Sequence, residues 1–295
     1  MSGSHLEKDM GIVPVDPTHA PFPVVIFFNG FNCDAHRYQW LAVKLAERGL
    51  VAVIYNWVAE QAGMIGLTAG VDVEAWKPAL YGKAPSASAL PAILAKLETL
   101  QTKGILAGTL DLKRVILGGH SAGGKVAAEN ADTRFFPQVA ASFSYAGHSA
   151  APVLFGYEAG TILPLPDRLP MLLMGGTRDG VVANSGYRYG MSPEHASTAI
   201  ARTFEEAISG GRNDCYLVVL EGANHFSIAD GFDSAASRAF LDFPATNSAE
   251  DIHSLMAEII GLFILAHVRC SPEAGRALHE LLNTANPLIN TFKIK

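Results

Sequence analysis

Cysteine is scarce in this sequence: Cys33, Cys215 and Cys270 are the whole complement, odd in number and far apart. No C-x-x-C pair occurs, which argues against a zinc ribbon or a disulfide framework. Reduced thiols in a cytoplasmic protein are the expectation. Charge is also thin, at 17% of residues, and it is not biased toward base: 22 Lys and Arg stand against 28 Asp and Glu, a net charge of -6. A nucleic-acid partner would require a basic patch or stripe, so none is expected. Long apolar runs are missing too. The most apolar stretch, residues 259–266, is flanked by Glu258, His267 and Arg269, and it falls far short of the ~20 residues of a membrane-spanning helix. It reads as a buried helix or one at a subunit contact, which leaves a homo-oligomer open. Residues 1–10 carry Glu7, Lys8 and Asp9 and lack the apolar centre of a signal peptide. Residues 1–11 are therefore expected to be an extension outside the domain, of the kind that cloning leaves. There is no internal repeat, no low-complexity tract and no G-x-G-x-x-G dinucleotide fingerprint.

What the chain does have is apolar content, 49% of 295 residues, arranged in an alternation. Short β-rich runs at residues 23–28, 50–55, 114–117, 139–145, 171–174 and 215–220 alternate with helix-patterned segments at 38–48, 89–100, 122–131, 249–268 and 272–283. Such alternation predicts a mostly parallel sheet with helices on both faces. In the helix over 89–100, Leu90, Ile93, Leu94, Leu97 and Leu100 make one apolar stripe, with Pro91 in the first turn and Ser86 or Ser88 as the cap. No linker divides the chain. One domain is expected over 12–285, with 286–295 as a C-terminal tail and loop insertions at 57–85 and 180–193 that could act as lids.

Behind the strand at 114–117 comes Gly119-His120-Ser121-Ala122-Gly123, the G-x-S-x-G pattern in a strand–turn–helix context. A sharp turn of this kind exposes the serine hydroxyl and leaves no room for side chains at the flanking glycines. It also puts the hydroxyl at a helix N-terminus, where backbone N–H groups can stabilise an oxyanion. The same stretch, Gly119 to Gly124-Lys125, also fits most of a phosphate-binding loop. Val126, however, stands where that loop needs a Ser or Thr on the metal, so nucleotide hydrolysis is set aside.

A serine needs a base within hydrogen-bond reach and a third group to orient that base. In G-x-S-x-G sites the order along the chain is Ser, acid, His. Asp179 follows the strand at 171–174 and a glycine turn, which places it at the carboxyl edge of the sheet. Asp214 precedes its strand, and Glu221 is too close in sequence to the histidine it would have to orient. His225, on the loop after the strand at 215–220, is the expected base. Of the ten histidines, His148 is the main competitor, but it precedes Asp179. Backbone amides of Ala122 and Phe31 are the expected oxyanion donors. An apolar pocket wall is expected from Phe31, Trp57, Met64, Ile65, Trp76, Phe155, Phe226 and Ile228.

Together, Phe27-Phe-Asn-Gly-Phe31, Gly119-His-Ser-Ala-Gly-Gly124, Gly175-Gly-Thr-Arg-Asp-Gly180 and Gly222-Ala-Asn-His225 resemble the α/β-hydrolases over about residues 12–265. The branch they are most similar to is that of the chlorophyllases and the related polyester and dienelactone hydrolases. The resemblance implies an α/β-hydrolase fold and cleavage of a carboxylic ester through an acyl-enzyme, with no metal or organic cofactor. Two positions depart from it. Asn29 stands where these families usually carry His, and Ala122 stands where chlorophyllases commonly carry Arg, which argues against chlorophyll as substrate. The expected substrate is a small hydrophobic ester or thioester. An acyltransferase or cyclase using the same three residues, and a non-catalytic binding protein on the same fold, are the competing readings.

Overall fold

A computed structural model describes residues 16–61, 64–192, 195–231 and 233–295. Seven strands form the main sheet: β1 (Phe22–Phe28), β2 (Val51–Ile54), β5 (Leu110–His120), β6 (Val139–Tyr145), β7 (Met171–Gly176), β8 (Cys215–Leu220) and β9 (Ile289–Ile294), in the spatial order β2-β1-β5-β6-β7-β8-β9. All neighbours pair parallel except β8 and β9, which pair antiparallel.

Why these runs are continuous rather than alternating is visible in β1, which is buried along its full length. Successive side chains in a strand point to opposite faces. Val25 and Phe27 thus enter one apolar layer, while Val24, Ile26 and Phe28 enter the other. The same division splits Leu172 and Met174 from Met171 and Leu173 in β7. The first layer is closed by helices α1 (Gln39–Ala46), α6 (Ala249–His267) and α7 (Pro272–Asn283), through Leu41, Leu45, Ile259, Ile260, Phe263 and Leu278. The second is closed by α2 (Leu90–Thr102), α3 (Ala122–Glu129) and α5 (Thr198–Ala207), through Leu90, Leu97, Val126, Ile200 and Phe204. A short helix, α4 (Gly180–Asn184), follows β7. The apolar stretch at 259–266 is thus largely consumed by the chain's own core. Among the described residues no helix is long and apolar enough to cross a membrane.

Three local expectations are corrected. Residues 286–295 are not a tail. They contain β9, whose alternating half-buried residues close the edge beside β8, with Val218 opposite Phe292. Neither Ser86 nor Ser88 caps α2, because Ala89 occupies that position. Ser86 is buried instead, its hydroxyl donating to Glu129 and its amide to Asn130. The insertion expected as a loop over 57–85 is not all loop: β3 (Trp57–Gln61) and β4 (Met64–Thr68) pair antiparallel as a separate hairpin.

The sheet order fixes where a ligand can go. The chain runs from β1 outward to β2 and then returns past β1 to β5. Loops leaving β1 and β5 therefore part in opposite directions at their carboxyl ends, opening the crevice where open α/β sheets bind ligands. The carboxyl end of β1 is Asn29-Gly30-Phe31, and that of β5 is Ser121.

Candidate active site

Ser121 sits at φ 55°, ψ -121°, between the last residue of β5 and the first of α3. Positive φ is uncommon for a non-glycine residue, and the surroundings hold it there. The Ser121 amide donates to the Tyr145 carbonyl (2.9 Å), and its carbonyl accepts from the Lys125 amide (3.0 Å). A Cβ on Gly119 would collide with the backbone of Gly123, and one on Gly123 would collide with the carbonyls of Phe28 and Asn29. Backbone atoms cannot step aside as a side chain can, so both positions require glycine. This close approach packs α3 directly over the end of β1.

His225 and Asp179 meet from the loops after β8 and β7. Both carboxylate oxygens of Asp179 lie against His225 Nδ1, at 2.9 and 3.0 Å, and both residues are almost fully buried. Asp179 also caps α4, accepting from the Val182 amide at 2.8 Å. With Nδ1–H given to the carboxylate, Nε2 is the ring nitrogen left to act as a base. The His225 backbone is held from below by His120. The His120 Nε2–H donates to the His225 carbonyl (3.0 Å), and its Nδ1 accepts from the Tyr38 hydroxyl (2.8 Å). Burial holds the His120 imidazole well below its ordinary pKa, so it remains neutral in this role.

Ser121, His225, Ala122 and Phe31 line one cavity of about 350 Å³. The Ala122 N–H belongs to the first turn of α3, where amides have no partner inside the helix. Among the described residues the Phe31 N–H has no acceptor either. The loop carrying Phe31 is tied down by Asn29, whose buried side chain donates to the carbonyls of Tyr55 (2.8 Å) and Cys33 (3.2 Å). An amide in place of the imidazole usual in the resembling families thus serves as a loop anchor. The arrangement puts a hydroxyl, a carboxylate-bound imidazole and two candidate oxyanion donors around a single space.

No protein-family model matches the chain, and no curated protein sequence matches it. Its structure is similar to that of a ferulic acid esterase from Streptomyces cinnamoneus, with a TM-score of 0.53 and 19% identity, over 95% of this chain and 75% of that one. The chain has the α/β-hydrolase fold. Its mostly parallel sheet with helices on both faces and the crevice at β1 and β5 belong to that architecture.

Of the residues expected to wall an α/β-hydrolase pocket here, Phe31, Trp76 and Phe155 line the cavity. Phe226 lies in an adjoining recess and packs edge-on against the His225 ring, with centroids 5.0 Å apart. Ile228 is not a wall residue: it is fully buried in the layer under α1 and α6, because the loop turns inward after Phe226. Trp57 and Ile65 belong to the β3–β4 hairpin and are not among the lining residues; Ile65 is 78% exposed. Met64 opens β4, but its side chain lies outside the described residues, as do residues 62, 63 and 193 of the two expected lids.

Several further residues contribute. Asp242, far downstream, accepts from the amides of Gly180 (2.8 Å) and His225 (3.3 Å), so one carboxylate braces both the Asp179 and the His225 loops. Burial pushes its carboxyl above the ordinary range. Lys125, which occupies the lysine position of the rejected phosphate loop, reaches the cavity wall but turns back on Glu129 at 2.6 Å, with both side chains buried. His148 also lines the cavity, and burial pushes its imidazole down to about 3. Of these, His148 is visible from sequence as a competing base and the i, i+4 spacing of Lys125 and Glu129 is legible, whereas Asp242 carries no signal.

Proposed function

We propose that this protein is a serine hydrolase that cleaves small carboxylic esters or thioesters with an apolar acyl or alcohol part. The observation that carries the reading is the carboxylate-bound His225 sharing one cavity with the strained Ser121. In this mechanism His225 Nε2 takes the Ser121 proton as the hydroxyl oxygen attacks the carbonyl carbon. The Ala122 and Phe31 amides receive the developing oxyanion, and Asp179 keeps the imidazole oriented while it carries the extra proton. Collapse of the tetrahedral species expels the alcohol or thiol, protonated by His225. Water, activated by the same imidazole, then releases the acid from the acyl-enzyme.

Apolar walls from Phe31, Trp76 and Phe155 support a hydrocarbon-rich substrate. The esterase named among similar structures and the motifs shared with chlorophyllases and polyester or dienelactone hydrolases support ester cleavage. Three free cysteines, two of them buried, agree with a reducing compartment such as the cytoplasm. The test is labelling with a fluorophosphonate followed by a series of 4-nitrophenyl acyl esters. We expect labelling at Ser121 and ester turnover. An unlabelled Ser121 in folded protein overturns the reading in favour of a binding protein. Mass spectra showing an acyl-transfer or cyclised product rather than free acid would convert it to a transferase.

A further inference from the structure

The cavity inverts the charge of the molecule around it. The protein carries a net charge of -6, yet the charged side chains lining the cavity are Lys125, Arg188 and Arg238, with no Asp or Glu among them. Lys125 has its counter-ion in Glu129. Arg188 and Arg238 pair with no carboxylate among the described residues. Arg238 is the better placed of the two. It lines both the main cavity and the adjoining recess, and each of those also contains Ser121 and His225.

Arg238 is also held at a cost. Its backbone adopts the left-handed conformation, φ 62°, ψ 24°, which a non-glycine residue keeps only where its surroundings impose it, often at ligand clamps. Its Nη1 donates to the buried Ser185 hydroxyl at 2.7 Å, aiming the head group. Burial, with Arg188 adding to it, lowers the guanidinium below its ordinary pKa. A half-buried cation facing a cavity without a counter-ion is stabilised by an anion that enters there, and guanidinium groups take carboxylates through paired, charge-assisted hydrogen bonds.

We propose that the ester substrate carries a free carboxylate, received by Arg238 with Arg188 beside it, while its hydrocarbon body lies on the aromatic wall. This inference rests on the ester-hydrolase reading and narrows its substrate class to amphipathic monoesters of the dicarboxylic-acid type. No new covalent step is involved; the carboxylate only positions the carbonyl over Ser121.

The test compares mono(4-nitrophenyl) adipate, which is anionic, with 4-nitrophenyl hexanoate, its neutral match in chain length. We expect kcat/KM to favour the anionic ester at least tenfold. Arg238→Met should reduce that ratio at least tenfold, Arg238→Lys should keep part of it, and added salt should narrow it. A wild-type ratio near or below one, or a ratio that Arg238→Met leaves unmoved, overturns the carboxylate site while leaving ester hydrolysis standing. Should Arg238→Met fail to fold, the exposed Arg188→Met decides, and an unchanged ratio there counts against the proposal. If neither ester is cleaved, calorimetry with adipic monoamide and hexanamide separates the two claims. Binding of the anion alone, lost in the arginine variants, keeps the site and removes the hydrolase reading; no selective binding removes both.

Discussion

The elbow at residues 118–125 and the hairpin of β3 and β4 stand on the same rim of the sheet and are held by different means. The four glycines of the elbow are dictated by neighbours. Gly119 and Gly123 are pressed against backbone, Gly118 against the Phe143 ring and Gly124 against the Ser144 hydroxyl. The hairpin pairs chiefly with itself and, among the described residues, hydrogen-bonds to the loop that carries Phe31 through one backbone bond, from the Asn32 amide to the Leu67 carbonyl (3.0 Å). It leaves Val58 and Ile65 largely exposed. Crowding leaves the elbow one geometry, whereas among the described residues the hairpin is joined to the Phe31 loop by that one backbone bond. Chemistry that needs fixed atoms belongs on the first, and the second, none of whose described residues lines the cavity, is free of that demand.

The strongest way to break this contrast is at the elbow. Ser121→Ala should lower kcat on a 4-nitrophenyl ester by about 10⁴–10⁶-fold without changing the circular dichroism spectrum. Near-normal turnover would mean that the crowded turn is scaffold and nothing more. Next come the two carboxylates behind the rim. Asp179→Asn should cost about 10³–10⁴-fold in kcat, because the neutral amide can donate to Nδ1, favouring the wrong tautomer, and no longer stabilises the imidazolium. Asp242→Asn should cost far less, since it meets only backbone amides; equal losses would show that the brace and the orienter have been assigned the wrong way round.

Packing is the third test. Gly123→Ala should destabilise by roughly 1–3 kcal/mol through overpacking, read as a lower midpoint in urea. Ile65→Ser in the hairpin should stay within about 0.5 kcal/mol, as exposed substitutions do. The smallest effect is on acid tolerance. His120 and His148 are held below their ordinary pKa by burial. As pH falls below about 6.5, the unfolded chain takes up protons that these imidazoles refuse in the native state. Stability from this source is therefore full at neutral pH and falls as pH drops below about 6.5, the His148 part draining away by about 3. Thermal scans across that window should show a falling Tm, and His148→Gln should make the fall shallower.

Much of this could be read from the chain because it depends on local crowding and on periodicity. The strands at 139–145 and 215–220 and the helix at 272–283 match their structural bounds, since the strands are short runs buried almost throughout and the helix carries Ala274, Leu278 and Leu282 on one face, with Ser271-Pro272 at its start. Glycines at 119 and 123, Asp179 after a glycine turn and His225 after the last parallel strand are positions whose local sequence states their geometry. What could not be read depends on partners distant in sequence. Residues 289–294 alternate too weakly to announce a strand, and they become one only because β8 offers an open edge. Asp242 and Arg238 lie in a segment without period, and their place is given by loops that return to the rim from elsewhere. Ile228, apolar and next to the site in sequence, faces the core because the chain turns between Phe226 and Ala229, where a backbone bond closes the turn.

The left-handed backbone at residue 121 restricts which side chain the turn can carry in the place of the proposed nucleophile. Threonine offers the same hydroxyl, but its branched β-carbon is poorly tolerated at positive φ. Cysteine, unbranched and nearly the same shape, fits without moving the chain. An exchange of oxygen for sulfur is therefore open to this scaffold, and a change as slight as one added methyl group is closed.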